Sequence, residues 1–420
     1  MNIRRIDFYL RRLRERLWAK PALFCAAAVV SVFAARTVDS WWDWDLLPDI
    51  SFDMIEKLLT IISSSMLAVA TFAVASMLSA YSAAASSATP RAFKLVVADD
   101  MSQNALSSFI GAFIFSIIAI IALKSGYYGE NGLFFLFILT LSIFGWVVLT
   151  FVRWVDSVAR LGELGSTVEK VESATKDALS QRQKMTTTVS DEVHAEMIKD
   201  ADVIYSPDIG YVQHIEISAL QEVAKKVDGK IVVEAMPGTF VTGNDPIAYL
   251  NAPTAIDGDA REAIADAYLI DRDRTFDNDP RFGFTTLAEI AARALSPGVN
   301  DPGTAVSILG HFVRLFYNWA ARVDAPKAKN KYDRVLTPGL SVDGLFDDAF
   351  GPVARHGAGD FAVALAFMDA MQELARTGDE RLRKAARKQA SLMMKRAEIA
   401  HTLPEDLERL RALAKKVTLG

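Results

Sequence analysis

The sequence has little of the chemistry on which most soluble enzymes depend. It contains one cysteine, Cys25, in 420 residues, and a lone cysteine excludes an intrachain disulfide and a thiolate metal site. Its five histidines are scattered, and no two stand at the spacing of metal ligands. A Walker A loop, a GxSxG elbow, an HExxH helix and a GxGxxG turn after a strand are also absent. The sequence therefore predicts no cofactor, no metal site and no recognisable enzyme chemistry.

An excess of positive charge is absent as well. The chain carries 46 Lys and Arg against 51 Asp and Glu, a net charge of −5. Residues 1–154 contain 13 basic and 11 acidic residues (net +2), which leaves 33 basic and 40 acidic residues in 155–420 (net −7). Because nucleic-acid phosphates require a basic surface, the acidic C-terminal part argues against a nucleic-acid partner.

Long apolar runs are what the sequence does have, and they lie in its first 155 residues. Apolar residues make up 51% of the chain. Since a helix needs about 20 residues to cross a bilayer, four segments qualify as spans: 21–38, 52–85, 105–123 and 133–155. No Asp, Glu, Lys or Arg lies deep in any of them, which argues against a proton relay or a charge-coupled transporter. We predict a four-helix transmembrane domain over residues 21–155.

Basic residues precede the first span and predict its orientation. Residues 1–20 read as a basic amphipathic helix with seven positive charges: Arg4, Arg5, Arg11, Arg12, Arg14, Arg16 and Lys20. By the positive-inside rule the N-terminus is cytoplasmic, and four crossings return residues 156–420 to the same side. We therefore expect a multi-pass protein of the cytoplasmic membrane. The arginines either hold this helix on the anionic inner leaflet or only establish the topology.

The second span is longer than a membrane requires. Its 34 residues would extend about 50 Å at ~1.5 Å per residue, against a hydrocarbon core of ~30 Å, so we expect it to project into the cytoplasm. Mostly small or hydroxylated residues recur on one face at three- and four-residue spacing: Ser65, Ala68, Phe72, Ala75, Ser79, Ser82 and Ser86. This pattern predicts a tight helix–helix interface. The alternative is a polar conduit lined by the serines of several copies in a homo-oligomer.

The rest of the chain has the composition of a soluble domain. We divide it into a helical connector (156–199), a β-rich module (200–257), a helix–elbow–helix segment (258–330) and a C-terminal helical region (331–420). The connector has helical periodicity without a strong core face, and residues 237–246 resemble a structural hairpin of the barrel-sandwich type. The expected fold is a membrane α-helical protein with four transmembrane helices and a cytosolic α+β domain, which has a small β-rich module and C-terminal helices.

The elbow at residues 296–304 has a mechanical interpretation. Pro297 ends a helix at about residue 295, Gly298 is able to take a positive φ, and Asp301 is a suitable N-cap before Pro302. The functional alternative is an anion or polar-ligand site at exposed elbow amides. Its candidate residues are Arg281, Arg293, Ser296, Asn300 and Asp301. The Asp- and Arg-rich run at 271–283 predicts a solvated or interfacial salt-bridge network rather than a calcium loop.

Several short motifs resemble one bacterial family. They are Ala88-Thr89-Pro90-Arg91, Arg274-Thr275-Phe276, Asp279-Pro280-Arg281-Phe282-Gly283, Ala294-Leu295-Ser296-Pro297-Gly298 and Asn300-Asp301-Pro302. Together they resemble the predicted membrane proteins called domain of unknown function 2254, and the likeness covers nearly the whole chain. The resemblance implies a membrane topology and brings no established activity with it.

The leading functional interpretation is a self-associating, channel-like or sensor membrane protein with a cytosolic regulatory domain. It follows from the small-residue face of the second span, the cytosolic extension of that span and a large acidic domain without catalytic motifs. Two alternatives stay open. One is a membrane-tethered interaction or scaffold protein that conducts nothing, and the other is a membrane-bound hydrolase-like enzyme that uses the Asp/Arg cluster. The small-molecule ligand, if there is one, is not indicated.

Overall fold

The computed structural model describes residues 19–39, 50–97, 100–184, 187–189, 191–253, 257–323 and 332–419. They form two compact units, Met1–Thr167 and Val168–Gly420, each of which is described by itself. The basic segment of residues 1–18, and with it the predicted leaflet-binding helix and its arginines, lies outside the described residues. That interpretation stays a prediction.

The first unit is helical throughout its described part. Its helices are α1 (Ala19–Asp39), α2 (Phe52–Ser87), α3 (Pro90–Val97), α4 (Asp100–Lys124) and α5 (Glu130–Leu161). Three apolar stretches are long enough to cross a membrane: Phe52–Ala85, Met101–Lys124 and Asn131–Arg160. The predicted first span is helical, but the apolar stretch found in α1, Lys20–Phe33, is shorter than a membrane span. Of the four predicted spans, the described residues thus support three.

Helix α4 is central to this unit, because α1, α2 and α5 all pack against it. Phe115 of α4 lies in a buried cluster with Val32, Leu59 and Leu136, and Phe109 lies in a second cluster with α2 and α5 residues. Gly111 lets α1 approach, since a methyl group added there would lie 3.1 Å from Cβ of Phe24. α4 therefore provides the face on which the other helices of the unit assemble.

Helix α2 has two different faces. One is buried against its own chain at three- and four-residue spacing: Ile55, Leu59, Ile62, Met66, Ala70, Ala73, Met77, Tyr81 and Ala84. The small-residue face lies roughly 150° around the helix from this buried face, at ~100° per residue. The α2 helix begins at the predicted residue 52 and ends two residues beyond the predicted 85. Its 36 residues extend about 54 Å.

The second unit combines two sheets with a helical core. Its helices are α6 (Leu164–Lys184, which begins in the first unit), α7 (Asp191–Ile198), α8 (Ile217–Lys226), α9 (Gly258–Ala265), α10 (Pro280–Ala294), α11 (Pro302–Val323), α12 (Val342–Gly357), α13 (Phe361–Ala375), α14 (Glu380–Ala400) and α15 (Pro404–Leu419). Its strands are β1 (Thr187–Val189), β2 (Asp202–Tyr205), β3 (Gly210–Ile215), β4 (Lys230–Val233), β5 (Phe240–Val241), β6 (Pro246–Asn251), β7 (Tyr268–Asp271) and β8 (Val335–Pro338).

The sheets correct the predicted β-rich module. One sheet has the order β1-β8-β4-β6-β2 and the other β5-β3-β7. β1 lies in the predicted connector and β8 in the predicted C-terminal helical region, so residues 200–257 do not complete either sheet. Residues 237–246 are not a hairpin, because β5 pairs with β3 and β6 pairs with β4 and β2. Within the predicted helix–elbow–helix segment the structure also has a strand, since α9 ends at Ala265 and β7 follows it.

The helical core of the second unit is built on phenylalanine. Rings from α10, α11, α12 and α13 form a continuous series of contacts: Phe284, Phe312, Phe316, Phe346, Phe350 and Phe367. α6 also has a core face, contrary to the prediction, since Val168, Val171, Thr175 and Leu179 are buried. The predicted C-terminal helices are present, and side-chain caps begin three of them at Ser341, Asp360 and Asp379.

Candidate functional site

Asp279 is the most deeply buried acidic side chain of the motif run, 3% exposed. It caps α10 by accepting a hydrogen bond from the Phe282 amide at 3.1 Å, and Pro280 occupies the first helical turn. Its other oxygen accepts from Nε and Nη2 of Arg274 at 2.8 and 2.7 Å. Burial raises the pKa of the Asp279 carboxyl, although the neighbouring Arg274 acts in the opposite direction. The predicted Asp/Arg network thus contains a buried ion pair.

Two glycines bring other elements onto this pair. Gly238, in the turn before β5, has φ +93°, and a side chain there would collide with the Asp279 carboxylate. Gly283, in the first turn of α10, faces α6, and a side chain there would collide with Thr175. The guanidinium of Arg274 lies 5.0 Å from the ring centre of Phe282. We call Arg274, Asp279, Phe282, Gly238 and Gly283 the motif junction.

The motif junction connects a β-turn, the start of α10 and α6. Both oxygens of Asp279 are engaged, one with the α10 backbone and one with Arg274. A carboxylate held in this way is suited to positioning secondary structure. The hydrolase alternative, which needs a reactive acid in the Asp/Arg cluster, gains no support from this geometry and stays a prediction.

Arg281 points away from the junction and from the elbow. Its Nε and Nη2 donate to the two oxygens of Asp348 on α12 at 2.6 and 3.1 Å, and this ion pair raises the pKa of Arg281. Arg281 and Ser296 lie at opposite ends of α10, about 22 Å apart along the axis at ~1.5 Å per residue. The five residues proposed for the ligand site are therefore not brought together.

The elbow itself is held by hydrogen bonds within the chain. The amides of Ser296, Val299, Asn300 and Asp301 donate to carbonyl oxygens at 2.8–3.0 Å, and the Ser296 hydroxyl donates to the Arg293 carbonyl at 2.7 Å. The residue with positive φ is Asn300, at 51°, and not Gly298. Asparagine tolerates this conformation because its short polar side chain is compatible with it. The amides that an anion would require are thus already engaged, and Arg293 and Asn300 are exposed beside them.

Asp301 is the N-cap of α11, as the sequence predicts. Its two oxygens accept from the amide of Thr304 at 3.1 Å and from the hydroxyl of the same residue at 2.6 Å. These two hydrogen bonds hold the pKa of Asp301 below its usual value. The elbow is accordingly a rigid connection between α10 and α11, and a ligand there stays a prediction.

The serines predicted to line a pore or interface are not used within the chain. Ser65, Ser79 and Ser82 are exposed on α2, while the side chain of Ser86 lies outside the described part. The Ser65 hydroxyl donates to the Ile61 carbonyl of its own helix at 2.6 Å. The prediction that this face meets another helix stays a prediction; within the chain, Phe72 of this face contacts Trp154 of α5.

Two polar features were not predicted. Ser102, Ser107 and Ser116 of α4 are buried inside the first unit, although the sequence singled out only the serines of α2. In the second unit, Glu172 of α6 contacts His311 and Arg314 of α11. The three-residue spacing of His311 and Arg314 places them on one face of a helix. No local sequence pattern indicates that this face contacts Glu172, because Glu172 stands 139 residues before His311.

Comparison with known proteins extends this description without adding an activity. Uncharacterized proteins of Mycobacterium bovis and Mycobacterium tuberculosis are each 30% identical to the chain over 116 residues, or 27% of its length. The match spans only about a fifth, 22%, of those relatives. No solved structure matches the chain. The family profile described as "Predicted membrane protein (DUF2254)" matches residues 14–373, which include the motif junction, the elbow and all three apolar spans, and the chain therefore belongs to this family.

Proposed function

We propose that this protein self-associates in the bacterial cytoplasmic membrane through the small-residue face of α2, and that its C-terminal unit is a cytoplasmic sensor or gate for the assembly. The observation that carries the proposal is the position of this face. It is exposed along α2, opposite the side that packs on the chain's own helices. Small residues allow two helix backbones to approach closely, which is how helices associate within lipid.

The remaining exposed surface of α2 favours a protein partner over lipid at this face. Leu67, Val74 and Leu78 are exposed and lie together on a sector roughly 110° from the small-residue face, at ~100° per residue. Such large apolar side chains suit contact with acyl chains. Phe72, the large residue within the small-residue face, turns its ring towards Trp154, with centres 6.2 Å apart. The helix thus separates a lipid-like sector from a helix-like one.

Positive charges support a cytoplasmic position for the C-terminal unit. Met77, Tyr81 and Ala84 of α2 pack with Val96 of α3 and with Val158 of α5, so these helix ends lie at one end of the first unit. Exposed basic residues at this end are Arg91, Lys94, Arg153 and Arg160. By the positive-inside rule this end faces the cytoplasm. The soluble unit follows α5 and would then be cytoplasmic too.

Conduction is a separate step from association. A water-filled path needs hydroxyls that face water, whereas Ser65 satisfies its hydroxyl on its own helix. A dry interface between copies requires only close approach. An assembly that does not conduct would match the scaffold alternative, and ion flux through proteoliposomes distinguishes the two outcomes.

Cysteine scanning tests the association directly. In a Cys25→Ser background, which removes the native thiol, single cysteines replace Ser79, Ser82 and, as a matched control on the lipid-like sector, Val74. Oxidation is expected to crosslink copies at 79 and 82 and not at 74. Labelling by a charged thiol reagent at 79 and 82 would indicate a wet path, and protection would indicate a dry interface. Equal crosslinking at all three positions, or a monomeric mass in mild detergent, would refute the proposal.

A further inference from the structure

A cluster of three charged or titratable side chains holds α6 on the core of the second unit. The carboxylate of Glu172, on α6, accepts hydrogen bonds from Nε and Nη2 of Arg314 at 2.9 and 3.1 Å. Its Oε2 also lies 2.7 Å from Nδ1 of His311. Nη2 of Arg314 also lies 2.7 Å from that same Nδ1. We call Glu172, His311 and Arg314 the α6 clamp. It lies outside the motif junction and outside the elbow.

The His311 nitrogen cannot satisfy both neighbours at once. When Nδ1 carries a lone pair it accepts from Arg314, and two acceptors, Nδ1 and the Glu172 oxygen, then face each other. When Nδ1 carries a proton it donates to Glu172, and the Arg314 donor must turn away. The Arg314 side chain is 57% exposed and has room to turn, whereas His311 and Glu172 are largely buried. The clamp therefore has two hydrogen-bonding arrangements. The neutral ring reaches both by changing its tautomer, whereas the imidazolium is restricted to the one in which Nδ1 donates to Glu172.

We propose that the α6 clamp is a pH-responsive contact in which protonation of His311 tightens the attachment of α6 to α11. In the protonated arrangement Glu172 is paired with an imidazolium inside the fold and still accepts from Arg314 through its other oxygen. A neutral ring either leaves Glu172 to the exposed Arg314 alone or donates to it without a charge, so both neutral forms hold Glu172 less strongly than the imidazolium does. α6 begins at Leu164, after Gly162 and Glu163 that follow the last apolar helix, so this contact acts on the segment of chain that enters the soluble unit. The proposal does not rest on self-association.

The other charges around the clamp do not replace His311. Burial acts to raise the pKa of Glu172, but the hydrogen bonds from Arg314 and His311 outweigh it and keep that pKa below its usual value, so Glu172 is ionised near neutral pH. The negative charge of Glu169, also on α6, helps to raise the pKa of Arg314. Three other helices pack against α11: α10, α12 and α13. α10 carries the half-buried Glu289, α13 the exposed Asp369, and α12 carries Asp348, which is paired with Arg281.

Hydrogen–deuterium exchange of the full-length protein in mild detergent tests the proposal. After correction for intrinsic exchange, peptides covering residues 168–182 are expected to exchange at least threefold more slowly at pH 5.5 than at pH 7.5. His311→Gln and Glu172→Gln should each abolish the difference. His356→Gln, at an exposed histidine of α12, and Glu289→Gln serve as matched controls and should preserve it.

The outcomes separate cleanly. Equal or faster corrected exchange at pH 5.5 in the wild-type protein would overturn the proposal, and so would a pH response that survives in His311→Gln. If His311→Gln does not fold, Glu172→Gln provides the same readout, because it retains the shape of the side chain and removes its charge. None of these results depends on whether copies associate, so failure here leaves the proposed function standing.

Discussion

The motif junction makes a quantitative prediction about α10, because two ion pairs stand at the start of this helix in different surroundings. Asp279 and Arg274 form a pair that is 3% and 23% exposed in its two side chains. Two residues after Asp279, Arg281 forms an ion pair with Asp348, in which the arginine is 56% exposed. Their shortest nitrogen–oxygen distances are alike, 2.7 and 2.6 Å. They differ in burial, and in that Arg274 donates to one oxygen of Asp279 whereas Arg281 donates to both oxygens of Asp348.

Removing Asp279 should cost far more stability than removing Asp348. Asp279→Ala leaves Arg274 buried without its counter-charge, which typically costs about 3–5 kcal/mol, and it also deletes an N-cap. Asp279→Asn preserves the cap and should recover about 1 kcal/mol of the loss. Asp348→Ala leaves behind Arg281, which is 56% exposed and so stays solvated, and should cost about 0–1 kcal/mol. In the double variant Arg274→Met/Asp279→Asn the buried charges disappear together, so we expect less loss than the sum of the two single variants.

Urea unfolding of the full-length protein in mild detergent, read out by a short pulse of thermolysin, measures these differences as midpoint shifts. From most to least stable, the expected order is wild type, Asp348→Ala, Asp279→Asn and Asp279→Ala. If Asp279→Ala shifts the midpoint no further than Asp348→Ala, the argument that burial decides the strength of these pairs is wrong.

Three further predictions follow from single contacts. Asp301→Ala should destabilise the second unit by about 0.5–2 kcal/mol and Asp301→Asn much less. Because folding lowers the pKa of Asp301, the carboxylate stabilises the fold above its usual pKa of 3.8, and this stabilisation is lost as the pH falls below that value. The free energy of unfolding should therefore depend less on acidic pH in Asp301→Asn than in the wild type. Gly283→Val should force α6 away from α10 by collision with Thr175, lowering the urea midpoint, whereas Gly298→Ala, where a methyl group meets open space, should not. In the first unit, Gly111→Leu should reduce the yield of folded protein measured by size exclusion in detergent, and Ser79→Leu should leave the yield unchanged but prevent crosslinking between copies.

Local signals predicted the helices well. The apolar run of α2 and the three- and four-residue periodicity of the C-terminal helices are visible within short stretches of sequence. Acidic N-caps such as Asp360 and Asp379 mark where helices begin. α10 shows how a local signal is missed. Its Asp279-Pro280 start has the same form as Asp301-Pro302, yet the sequence analysis assigns an N-cap only to Asp301.

The sheets were predicted less well because their pairing is not local. β8 is four residues long, lies among polar residues and becomes a strand by pairing with β1 and β4. β4 and β8 are separated by about a hundred residues that contain both glycine turns and helices, so no periodicity in the sequence relates them. The motif junction is similar in kind. Gly238 contacts Asp279 from 41 residues away, and only the folded chain places them side by side.

The small and hydroxylated residues of α2 and of α4 illustrate what a sequence pattern leaves undecided. Both sets permit close helix packing, and from the sequence either is able to serve within one chain or between chains. The fold uses those of α4 internally, on more than one side of the helix, since Ser107 and Ser116 are buried and Gly111 receives α1. It leaves the small-residue face of α2 largely exposed, although α2 is packed along its whole length by its opposite face. The small-residue face of α2 allows close approach and is largely unused for packing within the chain. It is therefore available for contact between copies without any rearrangement of the fold.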